Sequence, residues 1–174
     1  KFLRKHAYHV GLKANFNILD SEDQKKLIKQ VLEYCKINKE VSESIYLNEI
    51  QNLKDEKIFP HDKSKILKYS SLENIDEIYN IYQQRLIEIN AVDFGDILLH
   101  SYFILTNHKD IQETHSNFIQ HILIDEFQDT NLLQYDLIKL LLNNNQNLFC
   151  VGDDDQSIYA WRGAKIENII NFPN

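Results

Sequence analysis

Apolar residues in the first two thirds of the chain recur at three- and four-residue spacing, the period of a helix with one buried face. Leu27, Ile28, Val31 and Leu32 share such a face and predict a helix over 21–36. Two caps compete for its start: Ser21-Glu22-Asp23-Gln24 has the form of an S-x-x-Q capping box, and Asp20 stands just before it. Ile45, Tyr46, Ile50 and Leu53 support a second helix over 43–56. Pro60 then interrupts the pattern, and a short helical turn is expected up to Tyr69. The clearest stripe is Ile75, Ile78, Tyr79, Tyr82, Leu86 and Ile89, which predicts a helix over 73–90. Further helices are expected over 93–107 and 110–118.

After His121 the texture changes. Ile122-Leu123-Ile124 is an unbroken apolar run ended by two acids, the pattern of a strand buried on both faces and stopping at a sheet edge. Asn131 or Thr130 can cap a helix running through Leu132, Leu137, Ile138 and Leu141. The polar stretch after it predicts a loop, and Leu148-Phe149-Cys150-Val151 a second buried strand ended by Gly152. Strand, helix, strand in this length is a βαβ unit, so the two strands should be parallel with both acidic clusters at their carboxyl edge. Ligands of open α/β sheets sit at that edge.

Composition narrows the class. The chain has 174 residues, 43% hydrophobic and 26% charged, enough for one ordinary domain or two small ones with cores of their own. No apolar run approaches the roughly 18 residues a bilayer span needs, and the first ten residues lack the apolar stretch of a signal peptide. The sequence contains no Met, which is the expectation for a piece of a longer protein. Cys35 and Cys150 are too few and too scattered for a disulfide framework or a zinc site, and fit a reducing cytoplasm. The net charge of −7 excludes nucleic-acid binding by bulk attraction, so any such contact has to be local. Residues 1–19 carry Lys1, Arg4, Lys5 and Lys13 with no acid, whereas 121–174 are strongly acidic.

The chemistry concentrates in two acidic clusters. Asp125-Glu126 after an apolar strand has the form of a Walker B site, where one carboxylate holds magnesium and a second group activates the attacking water. Taken alone, two acids at a strand end are most often merely solvated. A second cluster begins at Asp153, and the order and spacing of the pair are far more specific. HILIDEFQDTN at 121–131 and VGDDDQSIYAWRGA at 151–164 resemble motifs II and III of superfamily 1 helicases of the UvrD/Rep/PcrA group. DFGDIL at 93–98 resembles their DF-D-L element, with Gly95 where the family usually has Asp, and ILDSEDQ at 18–24 resembles the start of their helical insertion.

The resemblance implies a helical insertion domain over 1–90 and part of a RecA-like ATPase domain, a parallel α/β sheet of the phosphate-loop type, over 91–174. It implies Asp125 as magnesium ligand, Glu126 as catalytic base, Gln128 as a nucleotide-site residue of the same motif, and Gln156 as the glutamine that senses the terminal phosphate. Tyr159, Trp161 and Phe94 then resemble the aromatics that meet single-stranded bases, and Arg162 a neighbouring DNA contact. A translocase must hold any sequence and release it, which suits flat apolar faces and reconciles DNA binding with an acidic chain. The implied cofactors are ATP and Mg2+, the implied partners single-stranded DNA and single/double-strand junctions, and the implied activity 3′ to 5′ translocation in repair or replication restart. The four glycines, Gly11, Gly95, Gly152 and Gly163, form no G-x-x-x-x-G-K-[ST] phosphate loop, so the chain is expected to be inactive by itself. A helicase-nuclease subunit of the RecB/AddA kind shares these motifs, and a non-enzymatic interaction module is the alternative from another class.

Overall fold

The structure is a computed structural model that describes residues 1–37, 42–143 and 147–153. Its elements run in the order α1 (Phe2–His6), a 3-10 turn (Ala7–Val10), β1 (Asn17–Ile18), α2 (Ser21–Tyr34), α3 (Glu43–Asp55), α4 (Lys63–Tyr69), α5 (Ile75–Glu88), β2 (Ala91–Val92), α6 (Phe94–Asn107) and α7 (Lys109–Phe118). They continue with β3 (His121–Ile124), a 3-10 turn (Phe127–Asp129), α8 (Leu132–Leu141) and β4 (Asn147–Cys150). The described residues are thus mostly helical with two small parallel sheets, and the chain divides into one compact unit over Lys1–His100 and a second that begins at Ser101. Among the described residues no helix is long and apolar enough to cross a membrane.

In the first unit the stripes read from the sequence meet in one core, apart from Ile45 and Ile89, which stand at the ends of their stripes and are exposed. Ile28 and Val31 of α2, Tyr46, Ile50 and Leu53 of α3, and Ile78, Tyr79, Tyr82 and Leu86 of α5 are all buried in it. Three of these core side chains are tyrosines, and each hydroxyl finds an acceptor, as a buried O–H requires. Tyr46 donates to the Glu73 carbonyl, Tyr79 to the Ile58 carbonyl and Tyr82 to the Asp93 carboxylate. At the start of α2 the structure decides between the two candidate caps. Asp20 is the cap and accepts from the Glu22 and Asp23 amides, while the Gln24 side chain reaches back to the Leu19 carbonyl. A full negative charge at the positive end of the helix outweighs a neutral hydroxyl one residue later. The parallel pairing of β1 with β2, Asn17 opposite Ala91 and Ile18 opposite Val92, went unseen in the sequence because a two-residue strand has no period to detect.

In the second unit β3 and β4 pair in parallel, from His121 opposite Asn147 to Ile124 opposite Cys150. Asn131 caps α8 in a full capping box with Gln134. The expectation of strands buried on both faces is corrected. Leu123 is 76% exposed and Phe149 63%, with Val151 exposed beyond them, while Ile122 and Leu148 are only partly covered. Along both strands exposed positions alternate with partly covered ones, as the pleat of a strand dictates.

Candidate active site

Asp125, Glu126 and Asp153 follow the two strands at the same edge of the β3–β4 sheet, because parallel strands end on the same side. The ladder extends past the strands: the Val151 amide donates to the Ile124 carbonyl at 2.8 Å and the Phe127 amide to the Val151 carbonyl at 2.9 Å. Between these bonds stand Asp125 and Glu126, both exposed. The Glu126 amide donates to Asp125 Oδ1 at 2.9 Å, and Glu126 sits in the left-handed region with φ 51°. That conformation costs a non-glycine residue roughly 1–2 kcal/mol and persists only where the surroundings impose it.

Gln128 holds the Glu126 side chain in turn. It is 1% exposed, in the middle of the short 3-10 turn, and both ends of its amide are engaged. Its Nε2 donates to Glu126 Oε2 at 2.6 Å, and its Oε1 accepts from the Asp153 amide at 3.0 Å. One side chain therefore ties the carboxylate after β3 to the backbone after β4. The contact is close enough to need Gly152, since a Cβ there would lie 2.6 Å from Gln128 Oε1 and 3.3 Å from the backbone nitrogens of Phe127 and Gln128. Sequence reasoning did not single out Gly152 beyond its place at a strand end. A glycine directly before an acidic cluster was the available signal.

Asp125 stands at the strand end with one oxygen engaged by the Glu126 amide. Among the described residues no cluster of three or more His, Cys, Asp or Glu side chains could enclose a metal ion. A single carboxylate of this kind fits Mg2+, which keeps several waters and takes one or two carboxylates together with substrate phosphates.

Phe94 belongs to the first unit, opens α6 and is 62% exposed. On either side of it, Asp93 and Asp96 are buried together with Lys54 of α3. Lys54 Nζ lies 2.6 Å from Asp93 Oδ2 and 2.7 Å from Asp96 Oδ1. Burial works to lower the Lys54 pKa, but the two carboxylates outweigh it and hold the ammonium charged. Burial raises Asp93, helped by the Asp96 carboxylate beside it, whereas Lys54 and His100 hold Asp96 low against the same burial. No pattern in the sequence signals that Lys54 is buried. Gln156, Tyr159, Trp161 and Arg162 lie outside the described residues.

Comparison with known proteins bears on the whole chain. The UvrD/REP helicase N-terminal domain family matches residues 1–174. Proteins named ATP-dependent DNA helicase PcrA from Staphylococcus epidermidis (strain RP62A) and Staphylococcus aureus (strain NCTC 8325) are each 39% identical over 173 residues, 99% of this chain. The chain spans 24% of the length of each of these relatives. With the family matched from end to end, and Asp125, Glu126 and Asp153 at one edge of the parallel pair, the chain belongs to the UvrD/REP helicase N-terminal domain family.

Proposed function

We propose that this chain is part of an ATP-dependent DNA helicase, contributing the water-activating half of the ATPase site and part of a single-stranded DNA platform. In this reading 1–90 form the helical insertion domain and 91–174 part of the first RecA-like domain, with translocation 3′ to 5′ and a role in repair or replication restart. The observation that carries it is the placement of Asp125 and Glu126 at the carboxyl edge of a parallel pair, with Gln128 joining Glu126 to the backbone at Asp153. The name of these relatives, ATP-dependent DNA helicase, supports the same reading over a helicase-nuclease or a non-enzymatic module.

Glu126 is the base: its exposed carboxylate takes the proton of the water that attacks the terminal phosphate, and Gln128 fixes the direction in which it points. Asp125 holds Mg2+, which when bound neutralises phosphate charge as it builds. Gln156 reports the terminal phosphate. Tyr159, Trp161 and Phe94 stack on bases irrespective of sequence, with Arg162 on the backbone.

In the full-length protein, Glu126→Gln is expected to lower DNA-stimulated ATP hydrolysis by about a hundredfold or more while nucleotide still binds, because the base is lost and Asp125 is kept. Steady-state hydrolysis and equilibrium binding of a fluorescent ATP analogue measure the two effects. Hydrolysis that survives the substitution would remove Glu126 from the mechanism.

A further inference from the structure

Among the described residues, the buried charges beside Phe94 form a cluster that this mechanism does not use. Each carboxylate divides its two oxygens between two tasks. Asp93 Oδ1 accepts from the Asp96 amide at 2.8 Å, and Asp96 Oδ2 accepts from the Asp93 amide at 3.2 Å, so the pair cap the first turn of α6 reciprocally. The remaining oxygens both face Lys54. They are steadied from α5, where Tyr82 donates to Asp93 Oδ2 at 3.2 Å and Gln83 Nε2 to Asp96 Oδ1 at 2.9 Å. His100, one turn along α6, lies 3.9 Å from Asp96.

An ion triad taken fully out of water is a poor source of stability, since apolar side chains of similar volume hold helices together at least as well. Its distinctive property is directional: a lysine with two fixed acceptors sets the angle of whatever those acceptors cap. Here that is the turn bearing Phe94. The turn has no slack, because α3 lies against it so closely that a Cβ on Gly95 would sit 2.6 Å from Gln51 Oε1 and 2.9 Å from Lys54 Cδ. An apolar ring that stands exposed on a turn whose neighbours Val92, Asp93, Gly95 and Asp96 are all buried is preorganised for a flat partner. The departure from the family pattern at Gly95 is thereby accommodated on this chain's own terms.

We propose that Lys54 is a positioning residue: by pinning the Asp93 and Asp96 caps, it holds the Phe94 ring at a fixed angle for stacking on a single-stranded base. The proposal rests on the DNA-platform reading of Phe94, and the test separates the two.

The probe is a thymidine oligonucleotide carrying one 2-aminopurine, bound to the full-length protein, with affinity and stacking-induced quenching read together. Four proteins are compared: the parent, Phe94→Ala, the charge-neutral triple variant Lys54→Met/Asp93→Asn/Asp96→Asn, and the triple variant combined with Phe94→Ala. The triple variant leaves no buried charge, and each asparagine oxygen still accepts its cap amide, so it folds without the cross-tie. Phe94→Ala is expected to weaken binding roughly tenfold, the loss of one stacked base. The triple variant should bind several-fold more weakly with less quenching, and should cause no additional loss once Phe94 is alanine. Parent-like binding and quenching by the triple variant would overturn the positioning role, as would a loss of equal size with and without the Phe94 ring. Unchanged binding by Phe94→Ala would overturn the reading of Phe94 itself, and the positioning role with it.

Discussion

Asp55 closes α3 with its carboxyl group buried, accepting from Gln51 Nε2 at 2.8 Å. Burial pushes its pKa up to about 6, against the help of the Gln51 amide and with further upward pressure from Glu56. A folded-state pKa above the unfolded one means that the folded protein holds the proton more tightly. Asp55 therefore contributes most at pH values below its ordinary value near 4, and the contribution is lost as pH rises through about 6. Asp55→Asn keeps an acceptor for Gln51 and removes the buried charge. It should raise thermal stability at pH 8 by an amount on the order of 1 kcal/mol, after allowance for the solvent that still reaches the group, and change little at pH 4. Melting curves of the chain and the variant at the two pH values measure this, and equal differences at both would exclude a charge effect. None of this was legible beforehand: Asp55 looks like any acid near a helix end. The exposed Asp125-Glu126 pair was legible because its signal lies in residue type and order.

At the scale of elements the helices were readable because each advertises its buried face at a regular interval, and α2, α3 and α5 lie where their stripes place them. The parallel arrangement of β3 and β4 was equally readable, since a strand, a helix and a strand in so short a length leave one simple connection. The one-sided cover of the sheet was not, because an unbroken apolar run looks the same whether one face or two are packed. Nor was the linkage between the two strand ends. Gly152→Ala tests that linkage: the added Cβ would strike the Gln128 amide oxygen, which must then move away from the Asp153 amide and take its hold on Glu126 with it. In the full-length protein the variant is expected to lose turnover by tenfold or more with a much smaller change in the KM for ATP, a displacement of the base costing more in the transition state than in binding. A KM effect with normal turnover would place the role of Gly152 in nucleotide binding instead.

For the molecule as a whole, the chain on its own contains no phosphate-loop sequence, and its glycines are too dispersed to make one. By itself it is expected to hydrolyse no ATP, with or without single-stranded DNA, in a coupled assay of ADP release. DNA-stimulated turnover that disappears on Glu126→Gln would show that the nucleotide is held in some other way. The sequence by itself determined the longer helices, the parallel β3–β4 pair and the motif order from Asp125 to Asp153, because periodicity, caps and spacing are properties of neighbouring residues. Only the tertiary structure decided which distant groups meet. Lys54 reaches Asp93 across 39 positions and Gln128 reaches Asp153 across 25, contacts set by how helices and strands pack. A hydrophobic stripe specifies that a face is buried and is silent on what it is buried against, so the buried charges that orient the exposed residues emerge only when the faces are brought together.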